Sequence, residues 1–413
     1  MKRLFKRDFT MVAIGQVISL FGNAILRFAL PLYLLRETDS SSLFGIVTAC
    51  SFIPMIIFSL LGGVIADRKN KRNIMVILDF ATAGVIFLFY LALGKIPVVP
   101  LMVLTLMILY GISGTYQPAV QASVPLLTER ETLMKGNAVI NTVSTLSGLL
   151  GPVVGGVLFG SFGLLPILFI SIGCFVLSAV MEIFIHIPYE KMAEEKGIFR
   201  TAASDVRECF LFIKKEKPDL FSVLVVIAFF NFIFSAAMVV GIPTAVVRFL
   251  NMSDAALGFT EAAMGAGGLA GGIIAGSADR KLKLENGWIV LAACSLTDFI
   301  MSAALFDTVP ETVGYFIITA AGFAAMCASS MFSVFVLTAV QRQIPPHMLG
   351  KIMAVIISVS TCSQPLGQAF YGVMFDILSD MPYIVMIVSS AASVAVAIGS
   401  KRVFNGDLHK KCK

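Results

Sequence analysis

Apolar runs of about 20 residues or more, long enough as helices to cross a bilayer's hydrocarbon, follow one another along the whole chain and are separated by short polar turns. Twelve such spans are delimited, at 11–35, 43–66, 73–94, 98–122, 136–160, 164–187, 220–245, 256–278, 287–306, 311–338, 350–375 and 382–400. The pattern predicts an all-α polytopic membrane protein. The longest polar interruption, 188–219, falls between the sixth and seventh spans and carries Glu190, Lys191, Glu194, Glu195, Lys196, Arg200, Arg207, Lys214, Lys215 and Lys217. It divides the chain into a six-helix bundle over 1–187, a cytoplasmic linker able to lie on the membrane surface, and a second six-helix bundle over 220–413 with a short cytoplasmic tail.

Composition supports this reading. Of 413 residues 58% are hydrophobic and only 14% charged, which excludes an ordinary soluble domain. The net charge of +6 does not mark a nucleic-acid protein, because the bases gather in alternate loops and form no continuous patch. With the N-terminus inside, 27 of the 31 Lys and Arg fall on the cytoplasmic side. Both termini are therefore expected in the cytoplasm and the chain in the cell membrane. Seven cysteines are scattered without a C-x-x-C pair, and His186, His347 and His409 are far apart, so neither a disulfide frame nor a metal site is expected. The basic N-terminus resembles the start of a signal peptide, but the apolar stretch behind it is too long and carries Arg27. It reads as the first membrane helix.

Two sequence marks repeat. Ala66-Asp67-Arg68-Lys69 recurs as Ala278-Asp279-Arg280-Lys281, 212 positions later; Pro31 and Pro243 differ by 212 and Pro152 and Pro365 by 213. A duplicated half is the expected origin, giving two pseudo-symmetric bundles. The first copy lies in Gly62-Gly63-Val64-Ile65-Ala66-Asp67-Arg68-Lys69-Asn70-Lys71-Arg72, a charged hairpin between two spans.

With twelve helices and a central loop, this hairpin resembles the signature G-x-x-x-D-R-x-x-R-[RK] of the major facilitator superfamily, through Gly63, Asp67, Arg68 and Arg72. Asn70 stands near the usual glycine and tolerates the left-handed turn that glycine would supply. A second motif, Gly151-Pro152-Val153-Val154-Gly155-Gly156, resembles the G-P-x-x-G-G of the superfamily's drug-exporting antiporters. Gly22-Asn23, Ala29-Leu30-Pro31, Gln117-Pro118-Ala119 and Leu257-Gly258 with Glu261 look like the macrolide-efflux branch. The helix-4 Arg-x-x-Gln-Gly signature of many exporters is absent, so no role is carried over for an arginine there. The resemblance implies a major-facilitator-type fold and alternating access. It also implies a cytoplasmic latch from Asp67, Arg68, Arg72 and Asp79, echoed by Asp279 and Arg280. Asp67 would meet the helix start around Gly350 to Met353.

Within the spans Arg27 is the sharpest polar signal, since a charge at mid-bilayer costs at least about 2.5–3.5 kcal/mol. Gln16, Ser19, Asn23 and Arg27 fall within about 80° of one another on a helix, a narrow polar stripe that lines a cavity or packs on a neighbouring helix. Glu261 lies at a similar depth to Arg27 and is expected to approach it as a proton-coupling acid. Asp298 is expected to bond Ser295 or Ser302, and Glu182 with His186 to form an interfacial pair. Further cavity candidates are Gln117, Asn141, Asn231 and Gln364, with Phe28, Phe230 and Phe234. Gly265 to Gly272 contains a G-x-G-x-x-A string without the strand that a dinucleotide site needs, so Gly267/Gly271 and Gly268/Gly272 read as helix-packing pairs. A close seam between the fifth and eighth helices is expected from Gly151/Gly155 and Gly156/Gly160.

These features point to a monomeric secondary transporter that exports amphipathic small molecules, drug-like or macrolide-like. The proton gradient would supply the energy, with no cofactor, since no Walker A loop is present. Siderophore or lysophospholipid transport fits the same fold. A hydrolytic membrane enzyme would need HExxH, GxSxG or paired catalytic residues, and none is present. A sensor or scaffold would need an appended soluble domain, and the tails are short.

Overall fold

The computed structural model describes residues 6–129, 132–187, 213, 218–277, 287–344 and 346–405. Among them the regular structure is helical throughout. In chain order the helices are α1 Arg7–Thr38, α2 Ser41–Arg68, α3 Lys71–Ala92, α4 Val98–Leu127, α5 Leu133–Phe162 and α6 Leu164–Ile183. Then come α7, which begins as Pro218–Phe230, α8 Asp254–Ser277, α9 Gly287–Ala303, α10 Glu311–Gln343, α11 Pro346–Ile377 and α12 Pro382–Asn405. Ten described helices are long and apolar enough to cross a membrane, and α9 is a shorter apolar helix. The chain is an all-α, twelve-helix membrane protein. Apart from Ile213 and the first residues of α7, the expected linker lies outside the described residues.

The helices follow from the sequence because a bilayer offers their backbones no other partners. Large apolar residues such as Ile77, Phe316 and Ile273 stand on outward faces, as lipid allows, while Gln16, Asp79, Glu182 and Asp298 are buried. α7 departs from the expected α-helix. It continues as π-helical segments at Asn231–Ser235, Ala237–Gly241 and Thr244–Phe249. Hydropathy cannot register this, since α and π turns bury the same residue types. Asn70 also departs from expectation. It is extended (φ −65°), caps α3, and its side chain accepts the Arg72 N–H at 3.0 Å. An extended N-cap gives the carboxamide a backbone donor that a left-handed turn would waste.

By contact the chain forms two compact units. One comprises Met1–Asp39, Val47–Glu195 and Ser253–Ala262; the other comprises Ser40–Ile46, Lys196–Met252 and Ala263–Lys413. In the first, α1 packs along α5 and α6, and α3 along α6 and α4. In the second, α9 packs along α12 and α10, and α11 along α7.

Candidate functional site

In the first unit the α1 stripe meets α4 and α3 residue by residue. Gln16 Nε2 donates to Tyr116 Oη at 2.7 Å, and Tyr116 Oη donates to Glu182 Oε1 of α6 at 2.8 Å. Ser19 Oγ donates to Asp79 Oδ1 at 3.2 Å, and Asn23 Nδ2 donates to Ser113 Oγ at 3.3 Å. The Arg27 guanidinium lies 4.1 Å from the centre of the Tyr110 ring. Successive positions on one face of α1 therefore find partners on one face of α4, at Tyr116, Ser113 and Tyr110. Gln16 is fully buried, so helix-to-helix bonding describes its surroundings. Arg27 spends its charge on an aromatic face, and among the described ion pairs none joins it to Glu261, which is partly buried on α8.

α5 and the start of α8 meet at backbone distance in this unit. A side chain at Gly156 would fall 2.5 Å from the Asp254 carbonyl, and one at Gly258 would strike the Pro152 carbonyl. Gly151 and Gly155 face Ala24 and Phe28 of α1 instead. Arg36 Nε donates to Asp254 Oδ1 at 3.0 Å beside this seam.

The second unit carries a clasp at the start of α2. Ser41 N and Ser42 N donate to Asp376 of α11 at 2.9 and 3.0 Å, and Ser40 Oγ donates to the same carboxylate at 2.7 Å. Leu43 N donates to Ser40 Oγ, and Phe44 N to the Ser40 carbonyl. Three of the amides that open a helix without intrahelical partners, those of Ser41, Ser42 and Leu43, are thus engaged, and the Phe44 bond is the first of the helix itself. Arg248 pairs with Asp376 at 2.5 Å and also donates to Ser41 Oγ. Hydropathy starts this span at 43 and marks neither the serines nor their distant carboxylate.

Also in the second unit, α7, α10 and α11 line a half-open cavity of about 240 Å³. Phe230, Phe332 and Val336 give it apolar wall, and Asn231, Ser329, Ser333, Ser360 and Thr361 give it polar groups. Phe230 packs on Phe332 at 4.8 Å and stacks on Phe234 at 5.2 Å. Asn231 opens the first π segment and donates to the Ile227 carbonyl at 2.9 Å, leaving its amide oxygen for another donor. π turns recur at functional sites because they re-aim side chains.

Most of the other candidates lie apart from these clusters. Gln117 and Gln364 are half-buried on α4 and α11, and Asn141 is exposed on α5. Arg72 bonds Asn73 at 3.3 Å, while Asp79 is deep in the first unit. The side chains of Asp67 and Arg68, the surroundings of Gly63, and Asp279 with Arg280 lie outside the described residues. Asp298 accepts from Ser389 of α12 at 3.1 Å, and Ser389 accepts from Tyr371. Ser295 and Ser302, its expected partners, donate instead to carbonyls of their own helix, the cheapest acceptors within reach. Glu182 is fully buried rather than interfacial, and His186 donates its backbone N–H to Asp8. Tyr116 carried no mark in the sequence; an acid at Glu182 inside a span was the available signal.

Residues 12–368 match the family model of the Major Facilitator Superfamily. The chain is 25% identical over 380 residues to macrolide efflux protein A of Streptococcus pyogenes, covering 90% of each. It is 23% identical over 368 residues to enterobactin exporter EntS of Salmonella choleraesuis, covering 88% of this chain and 84% of that protein. The crystal structure of the nucleoside transporter NupG shares the fold, with TM-score 0.76 and 12% identity over 97% of this chain and 100% of that one. This chain belongs to the Major Facilitator Superfamily and is a multi-pass membrane transporter of that fold.

Proposed function

We propose that the protein exports amphipathic small molecules, drug-like or macrolide-like, from the cytoplasm in exchange for protons, by alternating access between its halves. The observation that carries the reading is the cavity of α7, α10 and α11, where rings and hydroxyls share one wall. At about 240 Å³ it is smaller than the roughly 300–1,000 Å³ of a complete drug-sized pocket. It suits one end of a larger molecule, with Asn231 fixing orientation. Similarity to a macrolide efflux protein and an enterobactin exporter supports outward movement of bulky substrates. The distribution of bases supports a cell-membrane protein with both ends in the cytoplasm.

Inverted vesicles carrying the protein are loaded with a pH gradient and offered erythromycin, a catecholate siderophore and a lysophospholipid. Gradient-dependent accumulation of erythromycin, abolished by an uncoupler, is expected. Uptake indifferent to the gradient removes the antiport reading. Accumulation of the siderophore alone moves the substrate to the second reading, which the enterobactin-exporter similarity favours.

A further inference from the structure

In the first unit three acceptor atoms lack donors in one buried place. They are Asp79 Oδ2, Glu182 Oε2 and Gln16 Oε1. Their side chains are at most 2% exposed, and they belong to one connected cluster. Gln16 reaches Glu182 through Tyr116; Ser19, one turn further along α1, holds Asp79; and Ser178, one turn before Glu182 on α6, donates to the carbonyl of Gly15, the residue before Gln16. Four helices converge here, so the arrangement is not an accident of one helix face. A buried acceptor without a donor is unfavourable, and two adjacent acids without a counter-charge more so.

Among the described ion pairs no base answers them. The described ion pairs are Lys6–Glu129, Arg36–Asp254 and Arg248–Asp376, and none touches this cluster. Arg27 on α1 lies over Tyr110 of α4, Arg72 at the start of α3 bonds Asn73, Asp8 of α1 accepts from the His186 backbone, and Cys174 of α6 stands against Gly22. Among the described residues no three His, Cys, Asp or Glu gather to hold a metal. A bound proton would supply a donor there. In the second unit the buried acid Asp298, whose Oδ1 likewise lacks a donor, accepts from Ser389, and no described hydrogen bond or ion pair joins it to a second acid.

We propose that Asp79 and Glu182 together form a proton-binding site and hold the coupling proton of the export cycle between them. This rests on the antiport reading above. One proton adds to a carboxylate oxygen, and the new O–H donates to the neighbouring acid or to Gln16 Oε1. Its release to water restores the second negative charge. Tyr116 is a positioning residue that keeps Glu182 Oε1 occupied, so that Oε2 is the oxygen left to bind the proton.

The test has two arms on purified full-length protein. Infrared difference spectra across a pH series are recorded for wild type, Glu182→Gln, Asp79→Asn and Tyr116→Phe. A carboxylic-acid carbonyl band that disappears on raising pH is expected in wild type. It should be lost in Glu182→Gln or Asp79→Asn and displaced in Tyr116→Phe, which keeps the volume and therefore the fold. Identical band titrations in all four proteins overturn the proposal. In proteoliposomes one coupled proton sustains at most about a tenfold erythromycin accumulation per pH unit. Glu182→Gln should bring that ratio to about one while gradient-free exchange persists. Retained accumulation in Glu182→Gln, with loss in Glu261→Gln, also overturns it. If wild type ignores the gradient, the antiport reading fails, and the infrared arm alone decides whether the pair binds a proton.

Discussion

Replacing Asp376 by Ala isolates the clasp that starts α2. The substitution strands the Ser41 and Ser42 amides, the Ser40 hydroxyl and one side of Arg248. Each bond to a charged acceptor is worth about 1.5–3 kcal/mol, and losing a helix cap costs about 0.5–2 kcal/mol. Asp376 is a quarter exposed, so water replaces part of what is lost, and Arg248 keeps Ser41 Oγ. A net loss of about 2–4 kcal/mol at the first turn of α2 follows. Amide hydrogen exchange reads this directly. Protection of Ser41 and Ser42 should fall by about 30- to 700-fold, while α9 and α12 are unchanged. Asp376→Asn keeps one acceptor oxygen and should lose about half the free energy. Unchanged protection in the Ala variant, or equal losses in Ala and Asn, would refute the reasoning.

At Gly271 an added side chain would strike the Cys327 carbonyl of α10, whereas Gly268 faces open space. Gly271→Leu should cost more than the about 1–3 kcal/mol of ordinary overpacking and show as lost monodispersity on size-exclusion chromatography; Gly268→Ala should behave as wild type. A double-mutant cycle of Arg27→Leu with Tyr110→Leu, followed by cysteine-reactive thermal unfolding, should give a coupling of about 0.5–2 kcal/mol. No measurable coupling would mean that Arg27 is held by something else. Ser333→Phe fills the α7–α10–α11 cavity without touching the packed core and should lower erythromycin transport while leaving the unfolding temperature within a few degrees.

Element positions were highly legible. The expected spans at 11–35, 164–187 and 287–306 appear as Arg7–Thr38, Leu164–Ile183 and Gly287–Ala303, because bilayer thickness fixes length and apolarity fixes identity. Polar faces were half legible. Helical spacing placed Gln16, Asn23 and Arg27 on one stripe, but it carries no information on which helix faces that stripe, so Tyr116 and Tyr110 were invisible. Local chemistry also competed: Ser295 lies one turn from Asp298, yet its own helix offered a nearer acceptor, and Ser389 took the acid. Asn231 was picked for its polarity and does line a cavity, but the π turn that it opens left no mark in hydropathy.

The Asp376 clasp has a consequence for biosynthesis. Ser41 leaves the ribosome 335 residues ahead of its acceptor. At about 5–20 residues per second, that interval is roughly 20–70 s, during which the opening amides of an inserted α2 have only water or headgroups to bond. Chains truncated before α11 are therefore expected to enter the membrane with a frayed second helix, one that a quality-control protease can recognise.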